Sequence, residues 1–293
     1  MDNQEDKTFA QIAKEIDEFL DFANGYAFTD KQIDDLYKIF TRAGKRYRWQ
    51  ILERKVKKGE LQKLGTGRYR QVDDAITEID WQDADVEDYV KLEWFLELEK
   101  YIKVYHKSVN VIAGEPGSGR TGLIYNLAIR NMHHPMGVVI FTNDMTPEEI
   151  KERMDNSKMP IPNPPPFKIY ERADTFADVI EPDKINLIDY LDMNSEVYMI
   201  GKEIDDIYKK LNRGIAVVAI QKRPGQDIGI GGVFTWKRPK LYISLGTARD
   251  GKIVYHKLKI VKCRGRADRK VNPNGMEFDF WFGGGINCML RET

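Results

Sequence analysis

Apolar residues recur along this chain at two different periods, and the period changes with position. Between Thr29 and Phe40 the apolar side chains Ile33, Leu36, Tyr37 and Phe40 stand at helical spacing, with Thr29 placed to cap the first turn. Gly44 reads as a turn, and Lys45–Gly59 predicts a second helix with Trp49, Leu52 and Val56 inward. Leu61–Arg70, with Gly65 and Gly67 near its centre, predicts a hairpin. From Val109 onward short, nearly continuous apolar runs take over: Val109–Ala113, Val138–Thr142, Phe167–Tyr170, Ile185–Asp189, Ile215–Ile220, Leu241–Leu245 and Val254–Val261. Helical segments such as Leu123–Arg130 separate the earlier runs. Apolar strands joined by helices imply a mainly parallel sheet covered on both faces, hence an α/β fold. Pro160–Pro166 reads as a rigid spacer between a helix and the next strand.

Charge changes this picture through its distribution alone. The 293 residues carry 46 basic and 46 acidic side chains, a net charge of zero. Phe28–Arg70 holds 13 basic and 5 acidic residues (13 − 5 = +8), whereas Val72–Glu99 holds 1 basic and 11 acidic (1 − 11 = −10). Such asymmetry points to modules with different partners. Two helices, a basic second-helix start and a hairpin predict a winged helix-turn-helix domain over residues 1–71, with Lys45, Arg46, Arg48, Arg68 and Arg70 expected to contact duplex DNA. A small basic domain used for protein contacts fits the same pattern. Residues 72–100 form an acidic connector whose Trp81, Trp94 and Phe95 are expected to pack on the larger domain, residues 101–293. Cys263 and Cys288 lack metal-ligand spacing, the start is polar and acidic, and no apolar run has the length of a membrane span. The expectation is a cytoplasmic chain without a membrane partner.

The chemistry concentrates at Gly114–Thr121, which follows the phosphate-cradling pattern G-x-x-x-x-G-K-[ST] except that Arg120 stands in the lysine position. An apolar run precedes it and a helical segment follows, which is the context the motif requires. Gly114, Glu115, Pro116, Gly117, Ser118, Gly119, Arg120, Thr121 and Gly122 are thus expected to hold the phosphates of ATP, with the helix N-terminus adding its dipole. Thr121 and Asp189, the acid at the end of the Ile185 run, are the expected Mg²⁺ ligands. Arginine is larger than lysine and planar, so phosphate affinity is expected to survive with slower turnover. Lys222–Gly232 is a glycine-rich stretch in which Lys222 and Arg223 suit contact with a single strand; a plain surface connection fits it equally.

Residues from about 100 to 282 resemble the ATPase domain of DnaB-type replicative helicases within the RecA-like superfamily. Phe141–Ile150 is similar to that family's F-S-x-E-M-S-x-x-x-L segment, with Asp144 in place of the glutamate that polarises the attacking water. Ile188–Leu191 resembles V-D-Y-L, and Ala219–Gln221 resembles the strand end whose glutamine senses the γ-phosphate. Lys259–Arg264 resembles the K-x-R element, carried over as Lys262 and Arg264, which in the family reach the neighbouring subunit's site. At a spacing of two on a strand, both are expected to share one face. Gly231–Leu245 and Asn272–Gly275 are similar to a smaller set of phage and prophage ATPases. The resemblance implies ATP and Mg²⁺ as cofactors, a homo-oligomeric ring or filament, and work on DNA in replication as a helicase or assembly factor. Arg120 and Asp144 keep a second reading open: a nucleotide-switched DNA-binding regulator or replication-initiation adaptor with little hydrolysis.

Overall fold

The computed structural model describes residues 7–23, 27–72, 76, 78–191 and 199–291. Contacts divide the chain into two units, Met1–Ala84 and Asp85–Thr293. No helix among the described residues is long and apolar enough to cross a membrane.

In the first unit three helices, α1 (Phe9–Ala23), α2 (Asp30–Tyr37) and α3 (Arg42–Lys57), pack with three antiparallel strands, β1 (Ala27–Thr29), β2 (Leu61–Gly65) and β3 (Arg68–Gln71), in the order β1-β3-β2. Thr29 caps α2 through a capping box with Gln32, and Thr41 caps α3 by accepting from the Gly44 amide. Ile12, Ile16, Phe28, Ile33, Ile51, Leu52, Leu61 and Tyr69 form the core. Two expectations fail here, the turn at Gly44 and the inward Trp49. Gly44 makes no turn; it lies in the first turn of α3, where an added Cβ would stand 2.9 Å from the Ile39 side chain. Leu36, Phe40 and Trp49 are exposed. On α3 Leu52 is buried and Val56 packs on the core as expected, but Arg48 takes the inward place of Trp49, because Arg48 enters to pair with carboxylates on α2.

The second unit is built on one nine-stranded sheet, order β12-β11-β10-β9-β4-β8-β7-β5-β6. Six neighbouring strands run parallel: β6 (Lys168–Glu171), β5 (Val138–Thr142), β7 (Ile185–Leu191), β8 (Ile215–Gln221), β4 (Ser108–Gly114) and β9 (Leu241–Asp250). Beyond β9 the sheet continues antiparallel through β10 (Ile253–Cys263), β11 (Glu277–Gly283) and β12 (Asn287–Leu290). The central strands are apolar on both faces because both are covered. On one face α4 (Arg120–Arg130) packs together with Leu92, Trp94, Phe95 and Leu98; on the other, α6 (Met199–Lys210) sends Ile200, Ile204 and Ile207 against Val109, Val111 and Val218. Of the three connector aromatics, Trp94 and Phe95 are thus buried in this unit, while Trp81 is exposed. α5 (Pro147–Asp155), capped by Thr146 and Glu149, follows β5, and the short α7 (Val233–Trp236) precedes β9.

Candidate nucleotide site

The parallel register brings the C-terminal strand ends into one row, since Gly114 pairs with Gln221 and Thr142 with Asp189. Ligands of open α/β sheets bind beyond such ends. β4 leads into the loop Glu115–Gly119, where Gly117 and Gly119 take φ of 73° and 90°, left-handed values that suit glycine. The loop then delivers its chain to the first turn of α4. Thr121 Oγ1 donates to Asp189 Oδ1 at 3.1 Å. Asp189 Oδ2 is buried without a hydrogen-bond partner among the described residues, and burial pushes this carboxyl up to about 6 against the pull of Thr121, Arg120 and Arg153. A hydroxyl beside a half-satisfied buried carboxylate is the hard-oxygen donor set that Mg²⁺ takes.

Arg120 folds its stem back across Gly114, where an added Cβ would collide with it, and its guanidinium lies over the Tyr190 ring, 4.9 Å from the centroid. Asp144 is exposed two residues beyond β5 and shares a cavity of about 540 Å³ with Thr121, Glu149, Glu152 and Arg153. Gln221 closes β8 next to Gly114; by strand alternation it continues the face of Val217 and Ala219, which packs toward α4.

Several expected contacts are rearranged. Lys262 does not project from the strand end: it is 9% exposed, and its Nζ donates to the Trp236 carbonyl at 2.6 Å beneath the indole ring. Desolvation, together with the charges of Arg264 and Lys240, lowers its pKa to about 8. Arg264 lies exposed just beyond the last residue of β10, whereas Lys262 is buried, so of the two cations only Arg264 reaches solvent. Lys222 is buried as well; its Nζ lies 3.4 Å from Glu115 Oε1 and donates to the Gln226 carbonyl at 2.8 Å, which leaves Arg223 as the exposed cation of that pair. Arg48 reaches the Asp34 carboxylate and Asp30 Oδ2 rather than solvent. Lys45, Arg46 and Arg68 are exposed, and Arg70 is half-buried with a bond to Gln62.

The antiparallel strands also supply residues that local patterns did not single out. Phe282 on β11 lays its ring against Gly119 and Gly122, and His256 on β10 stands 3.1 Å from the Ser118 carbonyl. The Gly285 carbonyl accepts from Arg153 Nη1 at 2.7 Å. The alternating stretch Glu277–Gly283 carried a strand signal, but nothing in it named the phosphate loop as its neighbour.

No family model and no curated protein matches this sequence. Among solved structures, the flagellar accessory protein FlaH from Methanocaldococcus jannaschii matches with a TM-score of 0.51 at 15% identity, over 70% of this chain and 99% of that one. A KaiC-like protein from Pyrococcus horikoshii matches with a TM-score of 0.54 at 13% identity, again over 70% and 99%. Both are RecA-like P-loop ATPase folds, and at such identities the likeness speaks of architecture alone. The nine-stranded unit, with its glycine loop between β4 and α4, therefore shares the RecA-like fold of these structures.

Proposed function

We propose that this chain binds ATP with Mg²⁺ at the loop Gly114–Gly122 and hydrolyses it slowly. The observation that carries this reading is the Thr121–Asp189 pair, with its orphaned Oδ2, at the mouth of a glycine loop in a RecA-like sheet. The loop amides and the α4 N-terminus bind the phosphates, and Thr121 and Asp189 hold the metal. Magnesium, when bound, neutralises charge on the β- and γ-phosphate oxygens. Asp144 orients the attacking water, and Gln221 at the neighbouring strand end responds to loss of the γ-phosphate. Arg120 and the short Asp144 side chain account for slow turnover.

The small unit is proposed to be a winged helix that contacts duplex DNA through Lys45, Arg46, Arg68 and Arg70, with the β2–β3 hairpin as its wing. This reading rests on its helix–strand order and on the exposed basic residues at the start of α3 and along β3. Likeness of the motif segments to DnaB-type ATPases supports a part in DNA replication, as helicase or assembly factor, in a ring or filament. Burial of Lys262 favours the second reading, a nucleotide-switched DNA-binding regulator, because a cation tucked under Trp236 is withheld from a neighbouring site, whereas the exposed Arg264 supports the first. Calorimetric titration with ATP·Mg²⁺ and steady-state phosphate release, each with and without duplex and single-stranded DNA, test both. Binding that disappears in Thr121→Ala and Asp189→Ala supports the site. A wild type that binds no nucleotide removes it, and phosphate release stimulated at least tenfold by single-stranded DNA decides for the motor over the switch.

A further inference from the structure

Arg153 has no part in the sequence motifs, yet the fold aims it at the cavity that holds Thr121 and Asp144. It stands in the last turn of α5, the helix that starts three residues after Asp144, so one β5–α5 segment carries both the carboxylate and this guanidinium to the cavity. No ion pair involves Arg153 among the described residues, although Glu149 and Glu152 line the same cavity. Glu149 is engaged in the Thr146 capping box. Of the five guanidinium N–H groups, one is fixed on the Gly285 carbonyl at 2.7 Å, and Nε is buried without a partner. The Gly285 carbonyl itself sits over the first turn of α4, 2.7 Å from where a Cβ on Gly122 would be. The guanidinium is thereby held beside the phosphate-loop helix, close enough for its charge to act on Asp189. An arginine held by one carbonyl, with no ion pair among the described residues and lining a cavity beside the Thr121 hydroxyl, is arranged for an anion that arrives.

Resting on the nucleotide reading above, we propose that Arg153 contacts the terminal phosphate of a bound nucleoside triphosphate and supplies, within a single chain, the arginine that other phosphoryl-transfer sites take from a neighbour. The burial of Lys262 gives this assignment its weight: of the two cations carried over from the resemblance, Lys262 faces Trp236 and Arg264 is exposed beyond β10, while Arg153, outside the motif, lines the cavity that holds Thr121 and Asp144. Arginines supplied in cis are known in phosphoryl transfer, where such groups contribute about 10³–10⁵ in kcat.

The test is the ratio of affinities for AMP-PNP·Mg²⁺ and ADP·Mg²⁺, measured by titration calorimetry on the full chain, in wild type, Arg153→Ala and Arg153→Gln. Glutamine keeps most of the aliphatic stem but ends two bonds short of Nη1 and carries no charge; the ADP arm, which loss of anchoring of the β11–β12 turn would weaken equally, separates phosphate contact from anchoring. Both variants should lose roughly 10- to 100-fold in AMP-PNP affinity while ADP affinity changes less than about twofold, the size expected for one charge-assisted contact. Phosphate release should fall by about 10³. Equal weakening for both nucleotides, or an unchanged ratio, overturns the proposal and leaves Arg153 as a turn anchor. If the alanine variant does not fold, the glutamine variant decides on the same ratio. A wild type that binds neither nucleotide overturns the nucleotide reading and this assignment with it, whereas a wild type that prefers AMP-PNP, with variants that keep the preference, overturns this assignment alone.

Discussion

Replacing Arg48 by alanine tests whether this residue is a structural cation or a DNA contact. In the native unit its guanidinium binds the Asp34 carboxylate, Asp30 Oδ2 at 3.2 Å and the Asp30 carbonyl at 3.1 Å, and both Arg48 and Asp34 are over nine-tenths buried. Breaking such a pair by removing one partner typically costs about 3–5 kcal/mol, since the other charge is left without compensation. Asp34 has an escape, because it can take a proton. Burial already raises its pKa above 3.8 in spite of Arg48, and loss of Arg48 raises it further. The charge penalty is therefore capped by the work of protonating the group: 3.2 pH units between 3.8 and 7, at about 1.36 kcal/mol each, or about 4.4 kcal/mol. At pH 5 the gap is 1.2 units and the cap falls to about 1.6 kcal/mol. The sign follows from linkage. A carboxylate whose folded pKa lies above its unfolded value destabilises the fold at high pH, and the penalty is relieved as pH falls. Arg48→Ala should thus lose about 3–4 kcal/mol at pH 7 and less than about 2 at pH 5. Hydrogen exchange of α2 and α3 amides in the full chain, corrected for intrinsic rates, reports this unit separately from the larger one. A loss under about 1 kcal/mol at pH 7, or an equal loss at both pH values, would refute the buried-pair argument.

Exposed cations of the same unit should behave differently: Arg46→Ala with Arg68→Ala should change stability by less than about 0.5 kcal/mol each while lowering the salt slope of duplex binding by about 2, read from binding isotherms at several salt concentrations. In the site, Arg120→Lys should raise steady-state phosphate release, because a compact ammonium fits between phosphates where the guanidinium leans on Tyr190; a slower lysine variant would show the arginine to be the better cation. Gly122→Ala should cost about 1–3 kcal/mol of thermal stability in the larger unit and weaken nucleotide binding, since its Cβ would press within 2.7 Å of the Gly285 carbonyl and 2.9 Å of the Phe282 ring; normal melting and affinity would mean that the turn yields easily.

The parallel strands and the glycine loop after β4 were legible in the chain because their causes are local. Apolar runs such as Val138–Thr142 and Ile215–Ile220 are continuous only where both faces of a sheet are covered, and glycines at 117 and 119 answer to the backbone's own sterics. The caps at Thr29 and Thr146 are equally local, made within three residues. Which way a charged side chain points is not local. Arg48 and Lys262 look like surface cations in sequence, and each is drawn inward by a partner 14 or 26 residues away. The exchange of Trp49 for Arg48 on the inner face of α3 has the same origin, as Asp34 on another helix outweighs the apolar pull of Trp49. Arg153 meets its carbonyl 132 residues downstream, and Phe282 reaches Gly119 only after the sheet has added its antiparallel strands. Periodicity and motif spacing thus determined where the glycine loop stands and which apolar runs are strands, while tertiary structure alone decided the strand order and which cations surround that loop, because burial of a charge depends on partners that only the folded chain brings together.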